Sequence, residues 1–282
     1  MQLQVNGTRL WFDVEGTELV PESGSWHRRP TAVLLHGGPG SFDHYYFKPH
    51  FSRLAEVAQV IYLDLRDHGR SAWGDPDAWS YEACADDVRA FCDSLGIEAP
   101  VVYGHSMGGM IAMVYALRHP GHAGGLVLDS APARFDVPRL VESFRQAGGD
   151  AVAETARRAY GGETTSREEW AACWKLFGRN LPDRGYGTVN APLNARHLPR
   201  MKAFDVLHRL RAITAPTLVL SGASDPVATP EVATELFHAL PRAMARQEII
   251  ENAGHFPWLD QPSRYWPVLQ QFVDSRRPAP AR

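Results

Sequence analysis

Three residues in this 282-residue chain have the types and surroundings needed for nucleophilic catalysis: Ser106, Asp225 and His255. Each comes after an apolar, strand-like run, and glycines stand close to Ser106 and His255. A serine hydroxyl becomes an effective nucleophile when a histidine takes its proton, and that histidine needs a carboxylate to fix its tautomer and stabilise its charge. The sequence therefore predicts Ser106 as nucleophile, His255 as general base and Asp225 as the orienting carboxylate.

The serine lies in the sequence Gly-His-Ser-Met-Gly (residues 104–108), between a strand-like run and a helix-like run. A sharp turn from a buried strand into a helix strains the residue at the corner and leaves little space where the two elements touch. We therefore expect Ser106 at the corner, with Gly104 and Gly108 required by close packing. The amide of Met107 would then stand at the helix start, where it can bind an anion.

A second glycine-rich segment, residues 36–40 (His-Gly-Gly-Pro-Gly), follows the apolar run at 31–35. Attack on a carbonyl creates an oxyanion, which preorganised backbone N–H groups stabilise. We predict that Met107 supplies one of these amides and Gly38 the other, with Gly37 as the alternative donor.

A second aspartate competes with Asp225 for the orienting role. Asp129 follows the apolar run at 125–128, so it too is predicted at a strand end. We favour Asp225 because it follows the strand directly before the one that leads to His255, and Asp129 stays as the alternative.

The elements that must position these residues alternate between strands and helices. Such alternation predicts a parallel sheet with right-handed crossovers. Residues 3–14 alternate apolar and polar around Asn6-Gly7, which predicts a leading antiparallel hairpin. The fold prediction is α/β, with a mostly parallel, twisted sheet of about eight strands flanked by helices. Further strands are expected at 31–35, 60–63, 101–103, 125–128, 215–220 and 246–250, and helices at 49–57, 80–95, 110–117, 230–240 and 263–274.

The alternation stops between residues 133 and 205, where helical stretches carry many aromatic residues. We predict a helical cap over the active site, inserted into a core of residues 1–132 and 206–275. A disordered tail is expected at 276–282. Most cap aromatics should form its own core, and others should face a substrate. The candidates for the substrate pocket are His105, Phe135, Trp170, Trp174, Tyr186 and Trp258.

The composition gives no reason to expect a macromolecular or metal partner. The formal net charge is −3 with both signs interspersed, which does not favour nucleic acid or a membrane surface. The first residues do not resemble a signal peptide, so we expect a cytoplasmic protein. Cys84 and Cys92 are expected as small core residues, and neither a metal nor a cofactor is expected. Asp64 and Arg66, in a polar turn, are interpreted as loop-tying residues. The oligomeric state stays open.

On these residues the chain resembles the α/β-hydrolase superfamily over nearly its whole length. Within it, the motifs HGGPG (36–40), GHSMGG (104–109) and GHFPW (254–258) are similar to those of the proline iminopeptidase branch and its esterase and lactonase relatives. The resemblance implies a cofactor-independent serine hydrolase acting on a small molecule or a short peptide. It also implies that the helical cap helps to select the substrate.

Two features favour an ester, lactone or related acyl substrate over a peptide. In proline iminopeptidases the triad acid is typically followed by a glutamate that holds the substrate's amino group, whereas Pro226 follows Asp225 here. The cap glutamates lie on amphipathic helices, where acidic residues usually form a solvated face. An aminopeptidase stays as the alternative function, and a cofactor-free lyase or a small-molecule receptor as a third. The cap glutamates are Glu142, Glu154, Glu163, Glu168 and Glu169.

Overall fold

The computed structural model describes residues 1–22, 24–181 and 189–277. Strands and helices are numbered here in chain order. The strands are β1 Gln2–Val5, β2 Thr8–Glu15, β3 Leu19–Glu22, β4 Ser25–Arg28, β5 Thr31–Leu35, β6 Gln59–Asp64, β7 Val101–His105, β8 Gly125–Asp129, β9 Thr217–Gly222 and β10 Ala245–Ile250. The helices are α1 Lys48–Phe51, α2 Tyr81–Ser94, α3 Met107–Arg118, α4 Val137–Gly148, α5 Asp150–Gly161, α6 Arg167–Trp174, α7 Ala191–Lys202, α8 Pro230–Ala239, α9 Pro257–Asp260 and α10 Pro262–Asp274.

Eight strands form one sheet in the order β1-β2-β6-β5-β7-β8-β9-β10. β1 and β2 are antiparallel, as are β2 and β6, and the pairs from β6 to β10 are parallel. The predicted α/β fold and its mostly parallel sheet are confirmed. The strand order reverses around β5 and β7, and in open parallel sheets a crevice for ligands forms outside the carboxyl ends of the strands at such a point. The segments after β5 and β7 are those that carry residues 36–40 and Ser106.

The central strands are covered on both faces. Every residue of β5, β7, β8 and β9 is buried, which agrees with their continuous apolar sequences. By contrast, β1 and β2 mix buried and exposed positions, as expected for a leading hairpin at one edge. The core therefore lies between the central strands and the helices on each face.

One local prediction from the sequence is wrong, and one hairpin was not predicted. The helix expected at 49–57 is a single turn of α1 followed by a 3-10 helix, Ser52–Glu56. The polar stretch before β5 contains the antiparallel hairpin β3–β4, which the sequence analysis did not predict. Its polar composition hides the alternation that normally marks a strand. None of the helices among the described residues is long and apolar enough to cross a membrane.

The stretch between β8 and β9 carries α4 to α7, and we call residues 133–205 the cap. Its two ends pair with each other: Phe135 N donates to Phe204 O at 3.0 Å, and Val206 N donates to Ala133 O at 2.9 Å. The domain limits set from the sequence stay predictions. In the predicted tail, residues 276 and 277 follow α10, and residues 278–282 lie outside the described part of the chain.

The close contact of β5, β7 and α3 gives a test of the fold. A Cβ atom on Gly108 would lie 2.0 Å from the carbonyl oxygen of Leu35, so backbone would have to move. We expect Gly108→Ala to lower the free energy of unfolding by at least about 2 kcal/mol, measured by urea titration. The control is Gly161→Ala in α5, where the nearest atom to the new Cβ is 4.0 Å away. It should leave stability unchanged or raise it by up to about 1 kcal/mol. Equal effects of the two changes would contradict this packing argument.

Candidate active site

Ser106 occupies the corner between β7 and α3. β7 ends at His105 and α3 begins at Met107, and Ser106 itself has φ +54° and ψ −119°. Positive φ in a residue other than glycine is strained and persists when neighbouring structure holds it in place. Here Ser106 N donates to Asp129 O at 2.9 Å, and Ser106 O accepts from Gly109 N at 3.0 Å. The predicted corner position of Ser106 agrees with this geometry.

Residues 36–40 lie against Ser106 and the start of α3. A Cβ on Gly37 would be 3.5 Å from Ser106 Cβ, and a Cβ on Gly38 would be 3.2 Å from Met107 Cε. Gly38 has φ +144°, a conformation that residues with a side chain rarely adopt. The structure therefore brings both proposed oxyanion segments to one place. As the first residue of α3, Met107 has an amide without an intrahelical acceptor.

Two buried histidines hold the segment 36–40 in place. Nε2 of His36 accepts a hydrogen bond from Leu65 N at 3.2 Å, and Nε2 of His68 accepts one from Gly40 N at 2.8 Å. Because a backbone N–H can only donate, the ring proton of each histidine lies on Nδ1, which in each case faces a backbone carbonyl. Burial lowers the pKa of both imidazoles. Both rings therefore act as neutral anchors.

His255 and Asp225 form a buried pair. Nδ1 of His255 is 3.0 and 2.9 Å from the two carboxylate oxygens of Asp225. The carboxylate is itself oriented, because its Oδ1 accepts from Val227 N at 2.8 Å and Ala228 N at 3.1 Å. The exposed fractions of His255 and Asp225 are 4% and 2%. With its Nδ1 proton donated to Asp225, the imidazole keeps an unprotonated Nε2, the atom a general base needs.

Asp129 has a different environment, although it too ends a strand. Its Oδ2 accepts hydrogen bonds from Tyr103 Oη at 2.6 Å and Tyr265 Oη at 2.7 Å. Its Oδ1 is buried and has no hydrogen-bond partner among the described residues. Burial raises the pKa of Asp129 to about 7. Of the two candidate acids, Asp225 is the one hydrogen-bonded to His255.

Two residues predicted to line the substrate pocket lie in the core instead. His105 is completely buried; its Nδ1 is hydrogen-bonded to the hydroxyl of Tyr46, and its Nε2 lies 2.7 Å from His255 O. Trp258 is also buried, with its ring 4.8 Å from that of His105. Neither side chain is open to a substrate in this structure. The sequence motifs gave their proximity to the site but not the direction of the side chains.

Trp170 and Trp174 contribute to an aromatic surface beside His255. The ring of Trp174 stacks on Phe177 at 5.3 Å, and Trp170 lies 6.2 Å from the same ring. Phe177 in turn meets the imidazole of His255 edge-on at 5.3 Å. Both tryptophans are partly exposed. We call Trp170, Trp174 and Phe177 the aromatic wall; it contacts the imidazole of His255 through Phe177.

The two remaining pocket candidates have different outcomes. Phe135 is nearly buried where the cap begins, and its ring lies 5.8 Å from that of Tyr160. It therefore contributes to packing within the cap. Tyr186 lies outside the described residues, so its place in the pocket stays a prediction.

Comparisons with known proteins identify the family of this chain. Residues 30–262 match the model of a family described as the alpha/beta hydrolase fold. The chain belongs to the α/β-hydrolase family. It is 27% identical to a proline iminopeptidase of Heyndrickxia coagulans over 268 residues, covering 86% of this chain and 90% of the relative. It is 30% identical to an sn-1-specific diacylglycerol lipase of Xenopus laevis over 263 residues, covering 87% and 80%. Among solved structures, it is similar to Est816, described as an N-acyl homoserine lactone degrading enzyme, with 27% identity, 96% and 100% coverage and a TM-score of 0.67.

In this α/β-hydrolase, the polar turn after β6 is tied to neighbouring segments by hydrogen bonds. Oδ1 of Asp64 accepts from His44 N at 2.6 Å, and Oδ2 accepts from Arg70 N at 2.9 Å. Arg66 makes two hydrogen bonds of 2.6 Å to Asp87. The predicted role of Asp64 and Arg66 in tying loops together is confirmed. Ligand atoms of Asp43, His44 and Asp64 lie within 4.8 Å of one another, but these hydrogen bonds explain the cluster without a metal.

Sequence reasoning missed two polar residues next to the catalytic segments. Asn190 N donates to Gly40 O at 2.7 Å, and its side-chain amide donates to Asp67 O at 2.9 Å. Asp260 accepts hydrogen bonds from the backbone just before His255 and from the cap. Asn190 could have been recognised as a helix N-cap, because a proline stands at the start of the helix that follows it. No sequence pattern marks Asp260.

The environment of Asp129 predicts a pH-dependent contribution to stability. Its folded-state pKa of about 7 is higher than the value of about 3.9 in an unfolded chain, so between these values the folded state binds more protons. This contribution to the free energy of unfolding therefore falls as the pH rises from 4 to 7. We expect the stability of Asp129→Asn relative to wild type to increase over that interval, by up to about 4 kcal/mol, and to level off above it. Urea titrations at several pH values measure the difference, and a pH-independent difference would contradict the assignment.

Proposed function

We propose that this α/β-hydrolase cleaves a small carboxylic ester, a lactone or a related acyl substrate through an acyl-enzyme on Ser106. The observation that carries the proposal is the buried Asp225–His255 pair, with both carboxylate oxygens within 3.0 Å of Nδ1. It stands at the same edge of the sheet as the strained corner of Ser106. A receptor would not need such a pair, so a binding role has less support, and a cofactor-free lyase stays a further alternative.

The proposed reaction has two halves, acylation of Ser106 and hydrolysis of the acyl-enzyme, and both use the same base and the same oxyanion donors. Ser106 Oγ bonds to the acyl carbon while Nε2 of His255 takes its proton, and the amides of Met107 and Gly38 bind the oxyanion. The tetrahedral intermediate expels the alcohol, which receives the proton from His255. Water then attacks the acyl-enzyme by the same route and releases the acid. Asp225 stabilises the imidazolium in both halves.

The aromatic wall of the cap favours an apolar acyl group. Trp170, Trp174 and Phe177 form this wall, and Phe177 contacts the ring of His255. Aromatic and aliphatic walls with few polar groups are typical of pockets for small organic ligands. A lipase and a lactone-degrading enzyme among the similar proteins support acyl substrates of this kind.

An aminopeptidase is the alternative, supported by the similarity to a proline iminopeptidase. It would need an acidic group to hold the substrate's ammonium. In the described part of the cap, four of the five glutamates considered already pair with arginines, and Glu168 is exposed. Pro226 stands where that branch typically has a glutamate. The pairs are Glu142 with Arg145, Glu154 with Arg157, Glu163 with Arg158 and Glu169 with Arg158. The ester or lactone therefore has the stronger support.

Two chromogenic substrates separate the alternatives. We expect a short-chain nitrophenyl ester to be hydrolysed and proline nitroanilide to be left intact, because four of the five cap glutamates in the described residues already pair with arginines and Pro226 replaces the glutamate that would hold the amine. Release of nitrophenol and nitroaniline is measured for wild type and for Ser106→Ala, which controls for contaminating enzymes. Efficient, Ser106-dependent anilide cleavage would replace the esterase proposal by the aminopeptidase. Activity that survives Ser106→Ala would refute both.

The choice of acid is tested by two matched substitutions. Asp225→Asn should lower kcat for the nitrophenyl ester by roughly 10⁴-fold, because the amide favours the wrong imidazole tautomer. Asp129→Asn removes a carboxylate bonded to two tyrosines and should change kcat by less than about tenfold. The reverse order of effects would make Asp129 the orienting acid.

A further inference from the structure

Asp260, the last residue of α9, binds backbone from two separate parts of the chain. Its Oδ1 accepts from Arg179 N at 2.8 Å and Asn180 N at 3.0 Å, both in the cap. Its Oδ2 accepts from Gly254 N at 2.9 Å, directly before His255. Asp260 is only 8% exposed. Hydrogen bonds to a carboxylate with so little access to water are stronger than those between neutral groups.

The same two segments touch directly. His255 N donates to Phe177 O at 2.6 Å. A Cβ on Gly254 would lie 2.5 Å from that carbonyl oxygen, so the glycine is what lets the cap backbone approach. The side chain of Asn180 adds a bond of 3.1 Å to Leu259 O. Several hydrogen bonds therefore connect residues 177–180 of the cap to residues 254–260.

These contacts connect the aromatic wall to the imidazole. Phe177, at the start of the joined segment, both stacks with Trp174 and meets the ring of His255. A shift of the cap backbone at Arg179 and Asn180 would pull on the carboxylate that also holds Gly254. Because catalysis is sensitive to displacements of about 1 Å, such a link can control the position of the base.

We propose that Asp260 is a positioning residue that couples the cap to His255. Its carboxylate holds the cap segment and the histidine segment in one register, so that the wall that selects the acyl group also fixes the imidazole. Asp260 does not touch the reacting atoms. This inference rests on the proposed hydrolase function for its kinetic readout.

The principal variant is Asp260→Asn, which keeps the size of the side chain but replaces one accepting oxygen by an N–H donor. We expect kcat for the nitrophenyl ester, per site titrated with a serine-directed phosphonate, to fall about 10- to 100-fold, with a smaller change in KM. Hydrogen exchange should become faster both in residues 177–181 and around Gly254. Asp260→Glu, which restores both oxygens, should recover part of kcat.

A matched control breaks a different link between cap and core. Glu235 on α8 accepts hydrogen bonds from Arg134 at 3.0 Å and Arg139 at 2.6 Å, both near the start of the cap. Glu235→Gln should leave kcat within about twofold of wild type. Should Asp260→Asn fail to fold, Asn180→Ala removes the side-chain bond to Leu259 O and weakens the same junction from the cap side, so kcat per site should fall about two- to fivefold.

The outcomes separate this inference from the proposed function. Unchanged kcat per titrated site, with only a lower melting temperature, would reduce Asp260 to a structural role and overturn the proposal. Unchanged exchange at Arg179 and Asn180 would also overturn it, because the link itself would be absent. Wild type without Ser106-dependent ester hydrolysis would refute the proposed function. The exchange comparison still tests the link in that case, since it uses no substrate.

Discussion

The structure depends on one packing constraint, the contact of α3 with the ends of β5 and β7. Backbone of α3 lies so close that a side chain on Gly104 would come within 2.2 Å of Gly108 O. The turn between them can be this tight because Ser106 adopts a strained, positive φ, held by bonds to β8 and to the first turn of α3. The same tightness lifts Ser106 out of the sheet and directs the amide at the helix start to the crevice.

The cap is joined to three of the four segments that would act on a substrate. Ser143 in α4 donates to Pro226 O beside Asp225, Phe177 O accepts from His255 N, and Asn190 N donates to Gly40 O. All three bonds involve backbone, so they fix the paths of these segments rather than single rotamers. A cap attached in this way is a structural part of the site. Substrate selection and positioning of the catalytic groups therefore share one framework.

The sequence was enough to predict where the candidate residues at strand ends lie, while their catalytic roles stay predictions. Ser106, Asp225 and His255 each follow an apolar strand, and parallel strands bring their carboxyl ends to one edge. What it did not give were contacts between segments far apart in the chain. Asp260 looks like any helix-end aspartate until residues 179 and 180 are seen against it. The sequence also did not show which way a side chain points, since His105, next to Ser106, points into the core.

The two aspartates show how tertiary context assigns roles that local sequence leaves open. Asp129 ends a buried strand and Asp225 follows one closely, yet two backbone N–H groups orient Asp225 and leave both of its oxygens within reach of His255. In Asp129, two tyrosine hydroxyls donate to one carboxylate oxygen. The other oxygen is buried and has no hydrogen-bond partner among the described residues. Burial without enough donors favours the protonated acid, which raises its pKa. The number and placement of hydrogen-bond donors around each carboxylate, more than its position at a strand end, therefore decide which one can stabilise an imidazolium.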